Sequence, residues 1–268
     1  KYLYLGETST GRGTYNVNSG TLSVADGLYI GGNSGGAGGT GTLTLAGGNT
    51  TVTNTLKLWN QGTLNYNGGS LSVGALDRRV GTFNWPSGIL TFTQELLTAT
   101  DAPFGSAVTL AANQTLAATA GVRVGAGGSF TAGSGSKLDA SGKALLVGAG
   151  GQGTLAVPDG GTVLSGSGTL GSDAAGKGTV TVAGTGKWTD SGQMQVGGSG
   201  QGTLTIQSGG TVSNTAGLIA SSAGSSGTAT VDGGTWTNSS FLAVGRYGVG
   251  TMTIKNGATV SNTDTFIG

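Results

Sequence analysis

Apolar and polar residues alternate in short runs that recur along the whole chain. In one clear example Thr203-Leu204-Thr205-Ile206 alternates, Ser208-Gly209-Gly210 marks a turn, and Thr211-Val212-Ser213-Asn214 alternates again. A period of two over about four residues is the pattern of a half-buried strand, and the glycines supply the turn. A third strand shows as an apolar residue followed by a small one: Val124-Gly125, Val147-Gly148, Leu170-Gly171, Val196-Gly197, Ile219-Ala220, Val244-Gly245 and Ile267-Gly268. The apolar members of these pairs are the expected core column.

These runs repeat at a fixed interval. The Gly-Thr pair that opens a run returns at Thr154, Thr179, Thr203, Thr228 and Thr251, in steps of 25, 24, 25 and 23 residues. Weaker copies start at Thr14, Thr42, Thr63 and Thr82, and the stretches from Val108 and Ser129 fill the interval between, giving about eleven units. A propeller blade needs four strands in about 40 residues or more, and the loops here are too short for crossover helices. The spacing predicts an all-β chain: a single parallel β-helix (β-solenoid) of about eleven coils, roughly 24 residues each, with three short strands per coil. Residues 1–268 are expected to form one continuous solenoid, most regular over 145–268. An irregular coil with a longer loop is expected over 75–107, where Asp77-Arg78-Arg79, Pro86 and Pro103 interrupt the pattern.

Two further columns follow from the spacing. Asn54, Asp190, Asn214, Asn238 and Asn262 each lie two residues after the apolar residue of the second strand, which predicts a polar ladder that satisfies backbone groups at each corner of the coil. The apolar residue itself reads Val163, Trp188, Val212, Trp236, Val260. Small and large alternate, so coils should interdigitate in pairs.

The runs Gly202-Thr203-Leu204-Thr205-Ile206-Gln207-Ser208-Gly209-Gly210-Thr211-Val212 and Ser222-Ala223-Gly224-Ser225-Ser226-Gly227-Thr228-Ala229-Thr230-Val231 resemble the repeat shared by type V autotransporter passengers and PEP-CTERM-sorted bacterial surface proteins. The resemblance is close from about Leu145 to Gly268, recognisable from Leu3 to Leu71, and poor between. It implies an exported protein at or beyond a bacterial cell surface, and it carries no catalytic residues with it.

Composition narrows the chemistry. Of 268 residues 58 are Gly, 12 are Lys or Arg, 11 are Asp or Glu, and none is Cys or His. Charged residues make up 9%, against about 25% in a typical domain, yet 35% of the chain is hydrophobic and can form a core. No basic stripe is available for phosphates, so nucleic acid is not an expected partner. No apolar run approaches 18 residues, so no membrane insertion of this segment is expected, and Lys1 to Gly6 does not read as a signal peptide.

Neither cofactor nor metal is expected. Gly148, Gly150 and Gly153 fit G-x-G-x-x-G, but the motif joins two strands and opens no helix. With Glu7 and Glu95 the only glutamates and no His, general acid and base candidates are few and no catalytic residue is assigned. Asp77, Arg78 and Arg79, near Trp85 and Glu95, form the one cluster able to line a glycan groove; a solvated loop explains them as well. Tyr29 and Tyr247 are candidate outward aromatics.

The expected function is structural: an extracellular fibre, sheath or surface stalk. Its expected partner is itself, by end-to-end stacking, or a continuation in a longer chain, because Leu5-Gly6 and Ile267-Gly268 share one phase of the repeat. An adhesin binding glycans or host surfaces is the alternative, and a polysaccharide lyase or hydrolase the third.

Overall fold

The computed structural model describes all 268 residues. It is all-β, with 30 strands and no helix, wound into a β-solenoid of about eleven turns. A representative turn has a first strand Gln201–Ile206, a second Thr211–Asn214 and a third Ala216–Ile219. Its strands pair in parallel with their counterparts in the next turn, Thr203 with Thr228, Val212 with Trp236 and Leu218 with Ala243. In Asn49–Leu58, Ser70–Asp77, Lys137–Ala149 and Thr162–Leu170 the second and third strands run on as one.

The residues expected to make one continuous solenoid group into two units. The first comprises Lys1–Leu96, Pro103–Gly105 and Asn113–Thr119; the second comprises Leu97–Ala102, Ser106–Ala112 and Ala120–Gly268. The first unit's first strands, Arg12–Val17, Thr40–Leu45, Gly62–Tyr66 and Thr82–Asn84, form a four-stranded sheet. The second unit has a seven-stranded sheet running from Ala107–Leu110 to Val249–Lys255. The stretch 75–107, where the repeat fades in sequence, still carries the strands Thr82–Asn84, Gly88–Phe92 and Leu96–Thr98.

Alternation in the sequence becomes alternation of inside and outside. In Lys177–Val182 the side chains of Val180 and Val182 are buried while Thr179 faces solvent, as the pleat requires. The small residue that closes most of these third strands has a local reason. Gly148, Gly171 and Gly197 have φ of 74°, 67° and 81°, a left-handed turn that L side chains adopt rarely. A Cβ on Gly197 would also lie 2.3 Å from the Ser226 carbonyl oxygen of the next turn. Ala220 takes the same left-handed conformation with a side chain, at φ 60°.

Candidate functional site

Most of the expected core column lies where it was placed. Val124, Val147, Leu170, Val196 and Ile219 are fully buried, and Val244 is half-buried. Ile267, in the last turn, is 82% exposed, because no further turn of this sequence covers it.

The polar ladder takes a different form from the one expected. Asp190, Asn214 and Asn238 are buried inside the coil, where they bond to side chains and to nearby amides. Ser165 belongs with them, in register with Asp190. Asn214 Nδ2 donates to Asn238 Oδ1 at 2.7 Å, and Trp236 Nε1 donates to Asn214 Oδ1 at 2.6 Å. One pair of turns earlier, Trp188 Nε1 donates to Ser165 Oγ at 2.9 Å. Each tryptophan thus reaches back to the polar residue of the preceding turn, which satisfies two buried groups with one bond. Asn54 stands outside this ladder: it is exposed and donates to Asp26 Oδ1 at 2.8 Å. Asn262, half-buried in the last turn, donates to the Asp264 carbonyl and to Thr265 Oγ1, each at 2.8 Å, and so does serve a backbone group at the corner.

Glycines make room for the indoles. A Cβ on Gly168 would lie 2.6 Å from Trp188 Cζ2, and one on Gly217 would lie 3.0 Å from Trp236 Cζ2. The turns therefore come in pairs: a slim one with Val, a polar residue and Gly, then a wide one with Trp, a polar residue and Met194 or Leu242. Val163, Trp188, Val212, Trp236 and Val260 are consecutive neighbours in that column.

Asp190 is the one charged residue type in the ladder. Its Oδ1 accepts from the Gly192 amide at 3.1 Å, while its buried Oδ2 faces the Gly168 backbone without a well-formed hydrogen bond. Burial pushes its carboxyl up to about 6, against the smaller pull of the Gly192 and Gly168 amides.

In the first unit Asp77 and Arg79 come together with Lys57 as a closed ion cluster, which Arg78 does not join. Asp77, 6% exposed, receives Arg79 Nε and Nη2 at 3.0 and 2.9 Å and lies 3.5 Å from Lys57 Nζ. Burial raises the Asp77 carboxyl, but the Arg79 hydrogen bonds and the two cations outweigh it and hold it below the usual carboxylate range. Arg78 turns away, donating Nε to the Phe104 carbonyl at 2.7 Å and lying over the Phe104 ring. Lys57 caps Trp59, 3.8 Å from the ring centroid.

Trp85 does not join that cluster. It is 9% exposed and packs on Tyr66 and Phe83, with its carbonyl accepting from Gln114 Nε2. Placing it beside a glycan groove is therefore corrected: an indole facing the core offers no ring to a sugar. Tyr29 lies against Tyr2 and Tyr4, ring to ring, while Tyr247 is 60% exposed beside Arg246.

No group of three or more acidic, His or Cys side chains is arranged to hold a metal ion. No helix is long and apolar enough to cross a membrane. Hollows lie against the last turn, lined by Phe241, Phe266 and Ile267 or by Met252, Ile254 and Val260, and against the first, lined by Tyr2, Tyr15 and Leu22. The fold and these contacts define a β-solenoid repeat protein. Comparison with protein-family models, with curated proteins and with solved structures finds no match to the chain.

Proposed function

We propose that this chain is an extracellular structural solenoid, a segment of a fibre, sheath or surface stalk whose work is done by stacked turns. The observation that carries this reading is the unbroken parallel register of successive turns in the second unit, in which Thr203 pairs with Thr228 and Val212 with Trp236. In the last turn Ile254 and Ile267 are 53% and 82% exposed, although in the same columns one turn earlier Val231 is buried and Val244 half-buried. Its strands also offer backbone groups to a further parallel strand. Either a following turn of a longer chain or another copy fits that surface, and both extend the stack in the same direction. The repeat's likeness to bacterial surface passengers supports the extracellular assignment.

The proposal assigns no catalysis to the chain. The one buried carboxylate near basic residues, Asp77, is already engaged by Arg79 and Lys57, which leaves it a poor general acid or base. Electron microscopy of the purified chain across a concentration series tests the structural reading. Unbranched filaments, with a layer spacing of about 4.8 Å, are the expected result. A chain that remains monomeric at every concentration, with Ile267→Lys behaving like the parent, would count against self-association.

A further inference from the structure

The outward side of the second unit's seven-stranded sheet is unlike the other outward faces of that unit. Its last five strands carry Thr154, Thr179, Thr203, Thr228 and Thr251 in one column, all in direct register. Two residues further along the same strands the column reads Ala156, Thr181, Thr205, Thr230 and Thr253. Ser129 and Thr131 extend both columns backwards by one strand. Neither column contains a charge, an aromatic ring or a long side chain, and charges appear only at the rims, at Lys177 on one side and Asp232 and Lys255 on the other.

Strand propensity does not account for this uniformity. The second-strand face of the same unit has the same backbone demands, yet its outward columns include Lys137, Asp139, Leu164 and Lys187. The third-strand face carries Arg123, Leu146, Gln195 and Phe266. Only the first-strand face keeps threonine in two adjacent columns over four successive strands, from Thr179 and Thr181 to Thr251 and Thr253. Its threonine hydroxyls take part in no hydrogen bond within the protein, whereas Ser213 on the second-strand face bonds to Thr189.

We propose that this threonine face binds ice. Successive strands are about 4.8 Å apart and alternate residues about 6.7 Å apart along a strand, so the face is a rectangular mesh of hydroxyl and methyl groups. A β-branched side chain on a strand is restricted at χ1, which keeps the mesh regular from turn to turn. A matching partner must be uncharged, must repeat in two directions on the same scale, and must donate and accept hydrogen bonds at every node. A flexible glycan or peptide meets none of these at once. A plane of ice meets all three: its oxygens form a fixed net of donors and acceptors, and the methyl groups seat between them. Because the partner's waters are already immobile, binding avoids the entropy cost of ordering liquid water at each node.

The test is partition of the purified chain into a slowly grown ice hemisphere, together with measurement of the gap between melting and freezing temperatures. The parent chain should be enriched in the ice, and the double substitution Thr203→Lys with Thr205→Lys should lower that enrichment roughly tenfold or more. The bulky Thr205→Tyr and the near-isosteric Thr203→Val variants guard against misfolding, each checked by an unchanged thermal melt. Thr211→Lys, on the second-strand face, should partition like the parent. Exclusion of the parent chain from ice, to the level of an unrelated globular protein, would overturn the proposal. So would enrichment that survives the double lysine substitution, since ice would then be bound elsewhere.

Discussion

The two units solve the same problem, a polar residue at the corner between second and third strands, in opposite ways. In the first unit Asn54 turns outward and bonds to Asp26 of the preceding turn in solvent. In the second unit Ser165, Asp190, Asn214 and Asn238 turn inward and are buried to within 6% exposure. The outward third-strand column differs as well, reading Tyr4, Tyr29, Lys57 and Asp77 in the first unit. Its core contains Tyr66, Trp85, Phe92 and Phe104, with Phe92 and Phe104 meeting edge to face at 5.0 Å. Regularity explains the contrast. A buried amide is tolerable only where a partner sits directly above or below it, and only strictly repeating turns deliver that partner. Where turns vary, aromatic rings and surface pairs fill the space instead.

A charge placed in the regular column should have the largest effect. Val196→Asp would bury an unpaired carboxylate among Leu170 and Ile219 and should cost about 4 kcal/mol or more. Val244→Asp, half-buried, should cost clearly less; equal losses in thermal or denaturant unfolding would mean the column is not graded by burial. The next effect compares the two kinds of tryptophan. Trp236→Phe strands the buried Asn214 Oδ1 and should cost about 1–3 kcal/mol beyond its lost volume. Trp85→Phe removes an indole N–H that is buried without a partner, so it should be the milder change. Denaturant midpoints for both variants decide this, and a milder Trp236→Phe would remove the ladder's role.

The smallest effect concerns pH and has opposite signs in the two units. The Asp190 carboxyl, raised from 3.8 to about 6 in the folded chain, binds more protons folded than unfolded. Its stabilising contribution is therefore complete below about pH 3.8 and lost as pH rises through about 6. Asp190→Asn should raise stability at pH 7 by on the order of 1–3 kcal/mol and flatten that dependence. Asp77, lowered by its cations, contributes stability above the ordinary carboxylate value that is lost as pH falls below it. Melts of the parent and of Asp190→Asn from pH 4 to 8 check the sign: a parent that gains stability between pH 5 and 7 would contradict the assignment.

The sequence revealed the architecture because register repeats in the primary structure itself. Thr203 pairs with Thr228 and Val212 with Trp236, as equal phase requires. The same reasoning reached Asp190, Asn214 and Asn238 and gave them backbone groups to serve, as Asp190 does at the Gly192 amide, but not the side-chain bonds of Asn214 and Asn238 inside the coil, since phase does not say which side of a turn faces inward. Ser165 was missed although it stands two residues after Val163, in the same phase, because serine is common throughout the chain. Gly168 and Gly217 were hidden for a similar reason: among 58 glycines, nothing in composition separates those that serve turns from those that admit an indole. Trp85 was misplaced because its neighbours Asn84, Pro86 and Ser87 read as loop, whereas the ring packs on Tyr66 from the preceding turn.

The alternation of slim and wide turns also bears on how such a chain can change length over evolutionary time. Tandem repeats grow and shrink by unequal recombination, which adds or deletes whole copies in frame. Removing a single copy between Trp188 and Trp236 would set the two indoles in adjacent layers, deprive one of its glycine, and overfill the interior. Removing two consecutive copies would restore Trp against Val and leave each indole with a polar acceptor one turn back. The heritable unit of this region is therefore the pair of turns, and viable length variants should differ by even numbers of them.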